Sequence, residues 1–397
     1  MVRRRRSLIE RMPPAFREHY FSLFTGPEPE TVHPDLYRKL IDEGTDIILR
    51  GIKRHIEDRR RVLERVRDKI RVKQLRRSVE AARVRLVASD AGNNGVDLRA
   101  AFLPLYAATA ILVEGWEVVE EPITLAGRPE PWPDEFRARE REAMLAAKLQ
   151  FDVTVRAVST WRPRLVLLDG TLLLNPGLVP TPGSSQEYVE DFRASVRSAV
   201  LLLSICHEED IPVFGFVKRT RARILCRKYG GEGVNMRDTS LLDLVLRPGQ
   251  YTEPEPMEDL MAKRYRREAE RMSIPAHVAK EITSFCSSYI RTGLATPYRL
   301  EFPEYCRDRV GEVGAILYTT SEEDGIPFAI HEADHLTKLT TNLSNIRTLM
   351  LYSKALDLVK RGELDDIDLN LLALQHGEAW VLRADDYFKD VLTEGGG

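Results

Sequence analysis

The first part of the chain repeats apolar and charged positions with the period of an α-helix. Between residues 35 and 82, apolar side chains recur mostly at helical spacing, and Arg, Lys, Asp and Glu fill the intervening positions. The apolar set is Ile48, Ile52, Ile56, Val62, Val66 and Ile70. This spacing predicts one or two long amphipathic helices that pack on the core or on a second subunit. We assign residues 1–82 to an N-terminal helical extension whose arginines are either solvated or in contact with phosphate.

Shorter apolar runs replace this pattern after residue 83. They predict strands at 83–89, 101–113, 116–124, 164–170 and 211–218. Helical patterns run from about Asp134 into the 150s and from about Gln186 to Glu209. Three strands in a meander, followed by helix, strand, helix and strand, indicate an α/β fold with a ribonuclease H-like mixed β-sheet core flanked by helices. The sequence has neither a GxGxxG nor a Walker A motif, which argues against intrinsic nucleotide hydrolysis.

The second half of the chain is harder to divide. We interpret residues 250–295 as a helical insertion that opens with the linker-like stretch "YTEPEPMEDL". Two apolar runs, at 297–303 and 313–320, are predicted to be strands, and the chain then closes with helices. The boundaries that follow are a core at 83–345 and a C-terminal helical segment at 346–397.

Composition narrows the class of protein only a little. The 397 residues carry a formal net charge of −2, so no overall field attracts a polyanion, although arginines cluster locally. No apolar run is long enough to span a membrane, and the basic N-terminus lacks the apolar stretch of a signal peptide. The four cysteines do not form a close pair, which argues against a zinc knuckle. We therefore expect a cytoplasmic protein with no membrane association.

Two apolar runs share an unusual ending. "RVRLVASDAGNNG" reaches a carboxylate at Asp90, and "PRLVLLDGTLLL" reaches one at Asp169, each with a glycine close behind. An aspartate followed by glycine after a strand is commonly just a turn. If the two strands are neighbours, however, the carboxylates lie a few Å apart and repel each other unless a divalent cation sits between them. Metal ions held in this way suit phosphodiester hydrolysis.

These stretches also carry a family resemblance. The chain resembles the NurA family, nucleases that process DNA ends together with the HerA hexameric ATPase and have a ribonuclease H-like core. The matching stretches are "LVASDAGNNG" (86–95), "LVLLDGTLL" (165–173), "VFGFVKRTRA" (213–222), "NMRDTSLLDLVLRPGQYTEP" (235–254) and "GIPFAIHEADHLTKLT" (325–340). The resemblance covers about two thirds of the chain, and the five loose matches occur in the family's order.

The resemblance implies that Asp90 and Asp169 are catalytic metal ligands. Asp169 fits its motif, whereas Asp90 is followed by Ala91 where the family usually has glycine, so the turn there is in doubt. The family also uses an acidic residue on the helix before the second aspartate. Asp152 and Glu142 are the candidates on that helix, and the alternative for each is a surface acid.

The basic stretch "KRTRAR" follows the strand "VFGFV". The resemblance implies that Lys218 belongs to the catalytic site, and an ammonium beside carboxylates would bind the scissile phosphate or stabilise developing charge. Arg219, Arg221 and Arg223 are candidates for contacting the DNA backbone. The alternative is a solvated basic face.

The last matching stretch contains two histidines one helical turn apart, His331 and His335. Families of this kind place a histidine near the metal late in the chain, so either residue is a catalytic candidate. The string "HEADH" also fits the H-E-x-x-H pattern of zinc metalloproteases, an alternative that lacks a recognisable third ligand.

The sequence therefore predicts a metal-dependent deoxyribonuclease that uses Mn²⁺ or Mg²⁺. By resemblance, its partners are DNA, a HerA-like hexameric ATPase and a second copy of itself in a homodimer, and its role lies in DNA-end resection, repair or antiviral defence. The alternative is a non-catalytic partner subunit that keeps the fold but not the chemistry.

Overall fold

The structure is a computed structural model, and it describes residues 38–99, 101–133, 137–230, 236–257 and 259–365. The chain divides into two compact units. The smaller comprises Met1–Asp68 together with Leu225–Met236, and the larger comprises Lys69–Ile224 together with Arg237–Gly397. The predicted C-terminal segment lies outside the described residues beyond residue 365.

The smaller unit contains the long amphipathic helix. A π-helical turn, Arg38–Glu43, leads into α1, Gly44–Val66. Val62 and Val66 on α1 are buried, but Ile48, Ile52 and Ile56 are 43–58% exposed. The apolar positions that predicted a packed helix are thus only partly covered.

The larger unit is built on a mixed sheet. In the described part of the chain the strands are β1 Val72–Gln74, β2 Arg85–Asn93, β3 Val96–Asp97, β4 Ala101–Leu103, β5 Tyr106–Glu114, β6 Glu117–Val118, β7 Ile123–Ala126, β8 Trp132–Pro133, β9 Leu165–Asp169, β10 Val213–Val217, β11 Gln250–Thr252, β12 Glu255–Met257, β13 Phe285–Arg291 and β14 Tyr298–Pro303. Strands β3, β4 and β8 form a small separate sheet, and the others belong to the main sheet.

Five strands at the centre of the main sheet have the order β7-β5-β2-β9-β10. β2 pairs antiparallel with β5, and β9 lies parallel to both β2 and β10. In chain order this is 3-2-1-4-5, with an antiparallel meander followed by two parallel strands. The predicted ribonuclease H-like core is confirmed, and β14, β13, β11 and β1 extend it beyond β10.

Helices cover both faces of this sheet. The remaining helices are α2 Val79–Ala82, α3 Ala138–Trp161, α4 Gln186–Glu208, α5 Ile224–Gly230, α6 Asp238–Leu242, α7 Leu260–Arg271, α8 Ala276–Thr283, α9 Val310–Thr319, α10 Phe328–Thr337 and α11 Thr341–Lys360, with 3-10 turns at Arg67–Lys69, Pro176–Leu178 and Glu304–Arg309. One apolar core joins α3, α4, α7 and α8 to the sheet, and a second joins α9 and α10 to its other side. We call these sides the α3 face and the α10 face.

Several sequence-based assignments differ from the structure. The run at 313–320 is helix α9 rather than a strand, because Val313, Ile316 and Leu317 are buried at helical spacing. The helix expected to reach residue 82 ends at Val66, and β1 follows it. The insertion at 250–295 contains three strands besides its helices, and the longest of them, β13, is buried inside the main sheet between β11 and β14.

No helix among the described residues is long and apolar enough to cross a membrane.

Candidate metal centre

Strand alternation brings the two predicted aspartates to one face of the sheet. Leu86 and Ala88 on β2 and Leu165 and Leu167 on β9 all pack in the α10-face core. Asp90 and Asp169 continue these two series at intervals of two residues, so their side chains point to the same side. Asp169 is the last residue of β9, whereas β2 continues past Asp90 to Asn93. The expectation that Asp90 ends its strand is therefore wrong, because residues 90–93 keep pairing with β5.

Helix α10 adds a third carboxylate to this pair. It packs against β2, β5 and β9, and it carries Asp334. One oxygen from each of Asp90, Asp169 and Asp334 lies within 4.8 Å of the others, and this is the only such group of His, Cys, Asp or Glu side chains in the part of the chain that the structure describes. Three carboxylate oxygens at this separation suit a hard divalent cation such as Mg²⁺ or Mn²⁺.

A glycine on β2 allows α10 to come this close. A Cβ at Gly92 would lie 2.8 Å from the carbonyl oxygen of Thr337, the last residue of α10. A larger residue would push the end of the helix away from the strand, and Asp334 with it. The close approach of α10 thus explains why the third position of "DAG", residue 92, is a glycine.

Lys218 lies beside the three carboxylates. It follows β10 directly, and its Nζ is 2.6 Å from Asp169 Oδ2 and 3.1 Å from Asp334 Oδ1. Its side chain is 25% exposed, so one end of the group faces the surface. The sequence-based placement of a lysine beside the aspartates matches this geometry.

Burial and mutual repulsion alter the protonation of these groups. Burial, followed by the neighbouring charge of Asp169, raises the pKa of Asp90 to about 7. Burial also raises the pKa of Asp169, although its hydrogen bond with Lys218 acts in the opposite direction. Burial lowers the pKa of Lys218, but its contacts with Asp169 and Asp334 outweigh burial and raise it. A carboxyl that ionises near neutral pH is typical of a functional site.

The turn after Asp169 is fixed by close packing. Gly170 has φ = 107°, a conformation that favours glycine. A Cβ at Gly215 on β10 would lie 2.6 Å from the carbonyl oxygen of Gly170, so β10 also needs glycine there. Thr171 and the N–H of Leu172 donate to the buried carboxylate of Glu301, which pairs with an arginine on its own strand. The segment that leaves Asp169 is therefore held from β14.

The two helix acids predicted from the sequence lie on the other face. Asp152 on α3 pairs with Lys148, with 2.6 Å between Nζ and Oδ2. Glu142 is 2% exposed and accepts hydrogen bonds from the Leu105 N–H at 2.7 Å and from Asn93 Nδ2 at 2.9 Å. Neither belongs to the carboxylate group, because α3 packs on the side away from Asp90. We therefore replace both by Asp334 in the ligand set that we propose.

Also on the α3 face, Gln150 of helix α3 connects β2 and β9, the two strands that carry Asp90 and Asp169. Its Nε2 donates to the carbonyl oxygens of Ser89 at 2.9 Å and of Asp169 at 3.0 Å. Thr154, one turn farther along α3, donates to Ser89 Oγ at 2.7 Å. Neutral side chains thus tie β2 to β9 at the level where the carboxylates project from the opposite side.

The two candidate histidines have different surroundings. His331 Nε2 is 3.1 Å from Asp324 Oδ2. His335 is exposed, and it belongs to no metal-binding group in the described ranges. The H-E-x-x-H pattern therefore gains no third ligand from the described part of the chain. The residue of "HEADH" that reaches the carboxylates is Asp334, which lies between the two histidines.

The three candidate DNA-contacting arginines lie in the loop between β10 and α5. Arg219, Arg221 and Arg223 are all exposed, and they follow Lys218 in the chain. Since Lys218 is in direct contact with the carboxylates, this loop begins at the metal centre.

The fold and the carboxylate group together define a class of protein: the metal-dependent nucleases with a ribonuclease H-like core. Within that class, the NurA domain family matches residues 84–339, more than half of the chain. The chain therefore belongs to the NurA family, as the sequence motifs predicted.

Solved NurA structures share the fold. The NurA nuclease from Sulfolobus solfataricus is 16% identical, with a TM-score of 0.59 and coverage of 83% of this chain and 98% of that one. A NurA bound to dAMP and manganese is 12% identical, with a TM-score of 0.51 and coverage of 77% and 94%. A further NurA structure is 12% identical, with a TM-score of 0.52 and coverage of 84% and 100%. No curated protein sequence matches the chain.

Proposed function

We propose that this protein cleaves DNA by metal-dependent phosphodiester hydrolysis, with Asp90, Asp169 and Asp334 holding Mn²⁺ or Mg²⁺. The observation that carries the proposal is the convergence of these three carboxylates from β2, β9 and α10. Membership of the NurA family supports it, and a NurA structure contains dAMP and manganese.

Each side chain has a task in this proposal. When bound, a divalent ion lowers the pKa of water and stabilises the charge that develops on phosphate oxygens. The Lys218 ammonium, 2.6 Å from Asp169, is placed to attract a non-bridging oxygen of the scissile phosphate and to neutralise charge in the transition state. His331, three residues before Asp334 on α10 and partnered by Asp324, would exchange a proton with the reacting water or the leaving oxygen. Gln150 and Glu301 keep the strands and the turn in register without touching the substrate.

The basic loop supplies substrate contacts in the proposal. Arg219, Arg221 and Arg223 are exposed and begin directly after Lys218, so they would bind the DNA backbone on one side of the scissile bond. His335 is exposed on the last turns of α10 and would serve as a neighbouring contact rather than as a metal ligand.

We further propose the working context that the family resemblance implies. The protein would act in the cytoplasm as a homodimer, together with a HerA-type hexameric ATPase, in DNA-end resection, repair or antiviral defence. Exposed apolar side chains on α1, among them Ile48 and Ile52, would supply part of one of these interfaces.

A cleavage assay on linear DNA tests the chemistry. We expect cutting with Mn²⁺ or Mg²⁺, no cutting in EDTA, and loss of cutting in the Asp169→Ala variant. His335→Ala should retain metal-dependent cutting. If the wild-type protein fails to cut even with the translocase present, the non-catalytic subunit is the correct interpretation.

A further inference from the structure

A cleft lined with arginine lies between α4 and α7. Its volume is about 260 Å³. Its apolar lining consists of Val179, Pro180, Val189, Phe192 and Val196. Its charged lining consists of Arg193, Arg264, Arg267, Arg271 and Glu268. Four cations and one anion therefore surround a concave, partly apolar surface.

The helical spacing on α7 aims the arginines at this cleft. Arg264, Arg267 and Arg271 are three and four residues apart, so they share one face of the helix. The buried residues of α7 are Met261, Tyr265 and Ala269, which attach the helix to the core. From α4, Arg193 is added to the same surface, and Arg264 stacks over the Phe192 ring at 5.7 Å.

Most of this positive charge has no carboxylate partner. Arg271 pairs with Glu268 at 3.1 Å. Arg193, Arg264 and Arg267 have no ion pair within the described residues, and all three are exposed. Like charges gathered in one cleft raise its potential and attract anions. The planar guanidinium group, with its fork of N–H donors, matches the geometry of phosphate oxygens.

The cleft is attached to the segment that leaves the metal centre. Tyr265 Oη on α7 donates to the carbonyl oxygen of Leu172 and accepts from the N–H of Leu174, both at 3.1 Å. Leu172 lies three residues beyond Asp169, and Val179 and Pro180 of the cleft belong to the same connection between β9 and α4. The cleft lies on the α3 face and the carboxylates on the α10 face, so a strand with one phosphate at the carboxylates would have to pass around this connection to reach the arginines.

We propose that this cleft is a second phosphate-binding site, which holds the phosphodiester backbone of the DNA strand away from the scissile bond. The proposal rests on the proposed function for the identity of its ligand. The stacked, amphipathic arginines bind successive phosphates there, and the apolar floor contacts the sugars. The arginines contribute to the affinity for DNA and to its salt dependence, whereas the proposed reaction takes place at the carboxylates.

Equilibrium binding in EDTA tests the cleft without cleavage. A fluorescein-labelled single-stranded oligonucleotide is titrated with the wild-type protein and with the double variant Arg264→Gln/Arg267→Gln at several salt concentrations. Because each phosphate contact on a single strand contributes about 0.7 to the salt slope, we expect the double variant to lose about 1.4 from it. Affinity at low salt should fall by roughly tenfold.

A matched control removes the same charge elsewhere. Arg156 and Arg164 are exposed; Arg156 lies in the last two turns of α3, and Arg164 directly precedes β9, at the opposite end of the strand from Asp169. Arg156→Gln/Arg164→Gln should bind like the wild type, and thermal unfolding shows whether each variant is folded. If the double variant in the cleft does not fold, Arg267→Gln is compared with Arg156→Gln. Binding by the cleft variant that equals its control overturns the proposal.

A competition arm identifies the ligand class. Unlabelled oligonucleotide should displace the probe, and polyglutamate at equal charge should not. Equal displacement by both would overturn the assignment to a nucleic-acid backbone in favour of an acidic protein partner. The binding readout also separates this proposal from the nuclease proposal. If the cleft variant binds more weakly but the wild type shows no metal-dependent cutting, only the nuclease proposal is contradicted. If the wild type cuts with metal but the cleft variant binds as tightly as the wild type, only the cleft proposal is contradicted.

Discussion

The two faces of β2 and β9 carry polar side chains at the same level of the sheet but use them differently. On the α3 face, Glu142, Gln150 and Thr154 direct their polar atoms to the backbone or to other side chains of the protein. On the α10 face, Asp90, Asp169 and Asp334 converge on one another beside the ammonium of Lys218. Satisfied hydrogen bonds hold strands in place, whereas converging charges need a ligand. The comparison separates the residues that hold the strands in place from those that we propose perform the chemistry.

The sharpest test of this difference exchanges one carboxylate on each face. Asp334→Asn removes a proposed ligand, and we expect the cleavage rate with Mn²⁺ to fall roughly 100-fold. Asp152→Asn removes only a partly exposed ion pair with Lys148, which is worth about 0–1 kcal/mol, so the rate should stay close to that of the wild type. Initial rates on linear DNA give the comparison. Equal losses in the two variants would contradict the assignment of the metal to the α10 face.

On the α3 face, by contrast, we expect a substitution to lower the stability of the protein and to leave its metal dependence unchanged. Glu142→Ala leaves the Leu105 N–H and the Asn93 amide without their acceptor in a buried place, and we expect a loss of about 1–3 kcal/mol in the free energy of unfolding. Urea unfolding measures the change. Metal dependence of the remaining activity should be unaltered, and a selective loss of metal affinity would show that Glu142 acts as a ligand after all.

The clustered charges should destabilise the metal-free protein as the pH rises. The pKa of Asp90 is raised to about 7 in the folded state, above its ordinary value near 4, so the unfolded chain releases this proton at lower pH. Stability is therefore lost as the pH rises from about 4 through about 7. Asp90→Asn avoids this loss and should be more stable than the wild type at pH 8 by about 1–3 kcal/mol, but not at pH 4.

Thermal unfolding in EDTA at the two pH values provides the measurement. A variant with the same advantage at both would indicate a packing effect instead of relief from charge burial. Added Mn²⁺ should reverse the order at pH 8 by stabilising only the wild type.

The smallest expected effect comes from removing the hydrogen bonds of Gln150 that join β2 to β9 next to the carboxylates. Gln150→Leu removes the two donors that join the carbonyl groups of Ser89 and Asp169. We expect the Mn²⁺ concentration for half-maximal activity to rise by about tenfold, with the rate at saturating metal largely kept. Thr154→Val is the matched control, because it removes a hydrogen bond to Ser89 in the same layer but none to Asp169. A change in the control of the same size would assign the effect to stability alone.

The sequence revealed the parts of the site that come from strands. Asp90 and Asp169 stand out because a carboxylate in or at the end of an apolar run is rare, and Lys218 stands out for the same reason. The order of strands and helices was sufficient to predict the core, since each element has its own period. These patterns lie within short stretches of the chain, so a single sequence is enough to show them.

Asp334 was missed because its signal depends on tertiary packing. It lies on the exposed side of an amphipathic helix between two histidines, and nothing in the surrounding residues distinguishes it from a solvated acid. Only the approach of α10 to β2 at Gly92 turns it toward the other carboxylates. Asp152 and Glu142 were chosen without knowing which face of the sheet each helix covers. The packing of the whole fold determines that face. The helix α9 was mistaken for a strand because a short, mostly apolar run has no clear period.

The origin of the third carboxylate on α10 has a consequence for biosynthesis. Asp90, Asp169 and Lys218 emerge from the ribosome well before Asp334, and the carboxylate group is complete only after α10 has docked on β2. A nascent or truncated chain that stops before α10 would lack one corner of the group. With the ligand set that we propose, such a product would be unable to hold the metal and would not cut DNA.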